Sequence, residues 1–118
     1  MDREILIKNL KRFKKKVENK HKIEKMVLFG SRAEQDKVGS ESDVDLIVVG
    51  NFKGKNNLER APPLYLEWDI DLPVDFLCYT PEEFKRLSKM VSIVREAKKK
   101  GIIIRWKIYI CSIVYSNS

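Results

Sequence analysis

Apolar residues recur at helical spacing at the start of the chain. Leu6, Leu10, Phe13 and Val17 lie on one stripe with lysines between them, which predicts a helix over about residues 2–19. KMVLFG then reads as a short strand ending at Gly30, and SRAEQD as one helical turn with Ser31 near its start. DVDLIVV predicts a second strand. Its pleat puts Asp43, Asp45, Ile47 and Val49 on one face and Val44, Leu46 and Val48 on the other.

GNFKGKNN reads as a loop. Pro62-Pro63 suits a first helical turn, so a short helix is expected over PPLYLEWD. DLPVDFLCY reads as the third strand. TPEE carries helix-start chemistry, with Thr80 as N-cap, Pro81 at the first helical position and Glu83 closing a capping box. Phe84, Leu87, Val91 and Val94 continue one apolar face, with a bend expected near Ser88–Ser92 and Gly101 suited to the C-terminal cap. The expected order is α-β-(α)-β-α-β-α-(β), an α/β (α+β) domain built on a small sheet flanked by helices.

The last segment, GIIIRWKIYICSIVY, is apolar but too short for a membrane span, and Arg105 and Lys107 interrupt it. It reads better as a strand. Ile104, Trp106, Ile108 and Ile110 point one way, and Ile103, Arg105, Lys107 and Tyr109 the other. An edge strand with such a face is sticky. It can pair with the sheet, with a second copy of the chain (a homo-oligomer) or with a partner protein. The division expected is one domain over residues 1–101 and an interaction tail or edge strand over 102–118.

Length and composition narrow this picture. A chain of 118 residues, 43% hydrophobic, suits one domain with one core. The charge of +7 suggests polyanions or nucleotide phosphates as partners. The basic stripe KRFKKK is more simply a solvated face than an RNA contact, so nucleic acid is not favoured. His21 is the sole histidine, set among lysines, and offers no basis for histidine or zinc chemistry. Cys78 and Cys111 lack metal spacing and read as reduced thiols. MDREILIKNL is charged from its second residue and is no secretory signal, so the expected location is cytoplasmic, with no membrane partner. Tyr65 and Trp68 suit core packing better than stacking on a base.

The candidate chemistry lies in two carboxylates. Asp43 and Asp45 share one strand face, with Cα atoms roughly 6–7 Å apart. Two anions so placed raise each other's pKa and destabilise a half-buried site. A divalent cation removes that cost, and Mg²⁺ prefers a few carboxylates plus substrate phosphate oxygens. Asp75, inside the apolar run LPVDFLCY, is the candidate third carboxylate. Asp71 is its rival, beside Glu67 and Asp69. Gly30 lets a backbone approach a phosphate closely, and Ser31 opens a helical turn whose N–H groups favour anions. A phosphate held opposite carboxylates and metal is the apparatus of phosphoryl or nucleotidyl transfer.

These residues carry a family resemblance. Gly30-Ser31, eleven further residues, then Asp43-Val44-Asp45 and Leu-Ile-Val-Val resemble the nucleotidyltransferase superfamily related to DNA polymerase beta. FGSRAEQDKVGSESDVDLIVV is similar to its minimal nucleotidyltransferase branch in prokaryotes, and RAPPLYLEWDIDLPVDFLCYTPEEF to archaeal members. The resemblance spans about residues 23–101 and implies a nucleotidyltransferase fold with a small mixed sheet. It implies that Asp43, Asp45 and Asp75 are catalytic and hold metal, two Mg²⁺ ions with Mn²⁺ as substitute. It implies that Gly30 and Ser31 hold the β and γ phosphates of a nucleoside triphosphate, ATP above all, with Arg32 and Ser42 beside them. It further implies AMP transfer to a hydroxyl of a HEPN-type partner, with the chain as antitoxin. The alternatives are a non-catalytic binding module, or nucleotidyl transfer to RNA or to a small molecule.

Overall fold

The computed structural model describes residues 2–34, 43–90 and 92–105. Helix α1, Arg3–Glu18, starts where Asp2 accepts a hydrogen bond from the Ile5 N–H, 2.9 Å. Its stripe of Leu6, Leu10, Phe13 and Val17 is completely buried. Lys14 on the same helix is buried too and pairs with Glu18.

The stripe of α1 packs on a sheet of four strands, β1 (Ile23–Phe29), β2 (Val44–Gly50), β3 (Val74–Tyr79) and β4 (Ile102–Ile103). Their order is β3-β2-β1-β4. β2 pairs antiparallel with β1 and parallel with β3, and β4 pairs antiparallel with β1. The sheet is therefore mixed, as expected.

Central β2 is covered on both faces. Val44, Leu46 and Val48 join α1, Met26, Leu28 and Leu64 in one core cluster. Ile47 and Val49 join Val27, Phe84, Val94 and Ala97 in the other. The pleat read from DVDLIVV is the pleat observed. Phe84 belongs to α5, Pro81–Leu87, and Val94 and Ala97 to α6, Ile93–Lys100.

Several elements differ from expectation. The apolar face running from Phe84 to Val94 is two helices and not one bent helix. α5 closes at Ser88, and Ser92, in extended backbone, caps α6 by accepting from the Arg95 N–H, 3.2 Å. The Ser92 hydroxyl also donates to the Leu87 carbonyl, 2.8 Å, so one serine ends one helix and starts the next. The loop GNFKGKNN gives way to a short helix, here α3, Asn57–Arg60. Asn56 and Glu59 close a capping box there, a signal present in the sequence. α4 covers Pro62–Glu67, two residues short of the expected run. Gly101 caps α6 without a left-handed backbone, at φ −78°. Its reason is space, since a Cβ there would lie 2.4 Å from the Ala97 carbonyl oxygen and 2.5 Å from Val27 Cγ1.

The start of the apolar tail is a strand only at Ile102–Ile103, on the edge beside β1. Ile104 is completely buried and belongs to the α1 core, so the core extends past residue 101. Residues 106–118, and with them Cys111 and any pairing with a second copy, lie outside the described residues. Among the described residues no helix is long and apolar enough to cross a membrane. Cys78 is a buried free thiol, and burial pushes it up to about 12.

A charged clamp fixes the far end of β3. Arg60 of α3 donates to Glu83 of α5 at 2.6 and 3.2 Å, to the Lys55 carbonyl at 2.8 Å and to the Cys78 carbonyl at 3.2 Å. Glu83 also accepts from the Thr80 N–H, 2.9 Å. The Arg60 hydrogen bond, then that of Thr80, hold Glu83 below the usual carboxylate range. Its stabilisation is complete above the unfolded value of a glutamate and is lost as pH falls through the lowered native value. Arg60→Met leaves Glu83 with only its Thr80 partner, removes the Arg60 donor from the Lys55 and Cys78 carbonyls, and is expected to cost about 2 kcal/mol at neutral pH. Urea melts at neutral and acid pH test this, and the gap between wild type and variant narrows in acid.

Candidate active site

The acidic residues meet because of strand register. Asp43 directly precedes β2, and Asp45 is its second residue. Asp75 is the second residue of β3. With Val44 opposite Val74 in a parallel pair, Asp45 stands directly across from Asp75. Neighbouring strands lie about 4.8 Å apart. Asp45 alternates with Ile47 and Val49, so it faces the side covered by α5 and α6. Asp75 faces the same side, in step with Leu77 and Tyr79.

On its other flank Asp45 is paired with Phe29, the last residue of β1. Gly30 follows with φ +78°, a left-handed backbone that favours glycine. A Cβ on Gly30 would lie 2.6 Å from Asp45 Oδ2. Bare backbone is therefore packed against the carboxylate. α2, Ser31–Glu34, begins at once, and the Ala33 N–H donates to the Gly30 carbonyl, 3.0 Å. Arg3 Nη1 donates to the Ala33 carbonyl, 2.9 Å, and ties α1 to this turn. Sequence reasoning missed Arg3, because only the fold brings a residue so near the N-terminus to the turn.

The electrostatics match the crowding. Burial, then the charge of Asp75, then that of Asp43 raise Asp45 above the usual carboxylate range. Asp45 is half-buried, whereas Asp43 and Asp75 are exposed. Among the described residues no three His, Cys, Asp or Glu side chains converge into a cage that could hold a metal by itself. The arrangement suits a hard cation that takes few carboxylates and completes its shell with phosphate and water oxygens.

The other candidates fall elsewhere. Arg32 is 4% exposed, drawn into the fold beside the turn. Ser42 lies outside the described residues. Asp71 is exposed and precedes β3, out of register with Asp45. Glu67 and Asp69 pair with α1, Glu67 with Lys20 at 2.8 Å and Asp69 with Arg12 at 3.1 Å and Lys16 at 3.3 Å. Those hydrogen bonds, Lys20 for Glu67 and Arg12 for Asp69, hold both acids below the usual range. Part of the basic stripe is thus engaged within the chain. Trp68 packs edge-on to Phe13, ring centroids 5.0 Å apart, as a core residue.

A protein from Sulfolobus solfataricus, provisionally described as a nucleotidyltransferase and solved by crystallography at 1.40 Å, shares this fold. The TM-score is 0.62 at 21% identity, over 86% of this chain and 80% of that one. No curated protein matches the chain. Residues 10–104 match the sequence family described as the nucleotidyltransferase domain. The matched span runs from the middle of α1 through β4 and takes in every described element of the acidic site. The chain belongs to the nucleotidyltransferase domain family.

Proposed function

We propose that the chain transfers a nucleoside monophosphate, AMP from ATP in the first instance, to a hydroxyl group on a protein. The observation that carries this reading is the pairing of Asp45 with Asp75 while Gly30 packs bare backbone against Asp45. Carboxylates and phosphate turn then form one continuous surface at one end of the sheet.

Gly30 and the N–H groups that open α2 hold the β and γ phosphates, with Ser31 at the first position. A contact from Arg32 to phosphate requires its side chain to leave its buried place. Asp43 and Asp45 hold Mg²⁺, with Asp75 as the third carboxylate. When bound, the metal neutralises phosphate charge and stabilises the departing oxygen. Asp75 lies on the β3 side of Asp45, the sheet edge among the described residues, and in this reading takes the proton of an incoming hydroxyl. The likeness of the motif run to minimal nucleotidyltransferases supports a protein acceptor, a HEPN-type partner, and an antitoxin role.

ATP labelled on its α-phosphate tests the reading. With Mg²⁺, label is expected on an acceptor protein, and Asp43→Ala abolishes it. Transfer that survives the loss of Asp43 defeats the assignment. Mg²⁺ with ATP at 100 times its Kd is also expected to stabilise the chain by about 2.7 kcal/mol. A melting temperature indifferent to both ligands together counts against the site.

A further inference from the structure

Helix α2 is too short to hold its own place. Its four residues make a single turn, and a helix of that length is marginal in water unless the rest of the fold pins it. Yet the turn is set with little tolerance, since a Cβ on Gly30 would lie 2.6 Å from Asp45 Oδ2. Ala33 is where it is fastened. The Ala33 side chain is buried in the core cluster of α1, with Leu6 and Leu10. Its N–H donates to the Gly30 carbonyl, 3.0 Å. Its carbonyl accepts from Arg3 Nη1, 2.9 Å, across 30 positions of sequence.

We infer that Arg3 is a positioning residue for the donor nucleotide: through the Ala33 carbonyl it holds the Gly30–Ala33 turn where that turn meets the phosphates of a nucleoside triphosphate. This inference rests on the donor site proposed above. Arg3 acts through Ala33 and not by contact with phosphate. The chain of contacts is short. It runs from Arg3 to the Ala33 carbonyl, from the Ala33 N–H to the Gly30 carbonyl, and from Gly30 to Asp45.

Arg3 suits this task by its mounting and its chemistry. It is the first residue of α1, and the buried stripe of Leu6, Leu10, Phe13 and Val17 fixes that helix on the sheet. The guanidinium is charged, and a charged donor binds a carbonyl more strongly than a neutral one. The bond is also partly buried, so water competes with it less than with the exposed Arg12–Asp69 pair of the same helix. Without Arg3 the Ala33 carbonyl turns to water and the turn is free to shift against Asp45. Methionine at this position keeps the bulk and loses both donor and charge. Lysine keeps a charge and a donor, on a shorter and more flexible stem.

The test is calorimetric titration of the purified full chain with ATP in the presence of Mg²⁺, well below the melting temperature of each variant. Arg3→Met is expected to weaken binding about tenfold, and Arg3→Lys to recover most of the loss. If Arg3→Met fails to fold, Arg3→Gln replaces it and is read in the same way. The ratio between wild type and variant is expected to persist in 1 M salt, where attraction between distant charges is screened beyond about 3 Å but the position of a turn is not. Arg60→Met, which loosens the far end of β3, is expected to lower the melting temperature and leave the affinity unchanged. Wild-type affinity in Arg3→Met, equal losses in Arg3→Lys and Arg3→Met, an equal loss in Arg60→Met, or a ratio that collapses to one in high salt overturns the inference while leaving the donor site standing. A wild type that binds no ATP with Mg²⁺ overturns both.

Discussion

Asp45→Asn is expected to abolish nucleotidyl transfer and, in the metal-free protein, to raise the melting temperature. The two effects have one cause. Asp45 is raised by burial, by Asp75 and by Asp43, so its ionised form is disfavoured in the fold. A carboxylate raised in this way leaves the native state most stable below the group's unfolded value, and stability is lost as pH rises through the native value. Asparagine keeps the shape and removes the charge. The gain is expected at neutral pH and disappears in acid. Transfer falls by about 10³-fold, the scale at which a group aimed at transition-state charge acts. Melting in chelator at two pH values, together with the labelled-ATP assay, checks both halves. A variant less stable than wild type at neutral pH contradicts the repulsion.

Gly30→Ala is expected to damage activity far beyond its effect on folding. The left-handed backbone alone costs a residue with a Cβ about 1–2 kcal/mol. The added methyl would also stand 2.6 Å from Asp45 Oδ2, so either the turn or the carboxylate has to move. A displacement on the order of 1 Å between donor phosphate and carboxylates costs about 10²-fold in rate. The check is kcat measured well below the melting temperature, where the variant is still folded. Wild-type kcat under those conditions contradicts close packing of turn and carboxylate.

The candidate site was legible where chemistry and local pattern coincide. Alternation in DVDLIVV puts Asp43 and Asp45 on the face away from Val44, Leu46 and Val48, and the fold keeps that division. The choice of Asp75 over Asp71 rested on its apolar neighbours, and the parallel register now sets Asp75 opposite Asp45. That register is a long-range fact that no local spacing contains. The same holds for Arg3 at Ala33, for the pairing of Glu67 and Asp69 with α1, and for Arg60 at Glu83. The break between α5 and α6 was missed for another reason. Apolar spacing continues through Ser88–Ser92, and only the backbone of Ser92 shows that the helix restarts. α3, by contrast, carries a local signal, since Asn56 and Glu59 stand at capping-box spacing.

The parallel alignment of β2 with β3 has a consequence for counting working molecules. Side chains alternate across a strand, so a slip of β3 by one residue would turn Asp75 toward the α1 core and lift Phe76 and Cys78 out of it. The same slip would expose apolar core, bury a charge and dismantle the acidic face together. No half-competent register lies between. Specific activity of a preparation therefore reports the fraction of chains in the native alignment, and heating or denaturant should lower the number of active molecules without altering the turnover of those that remain.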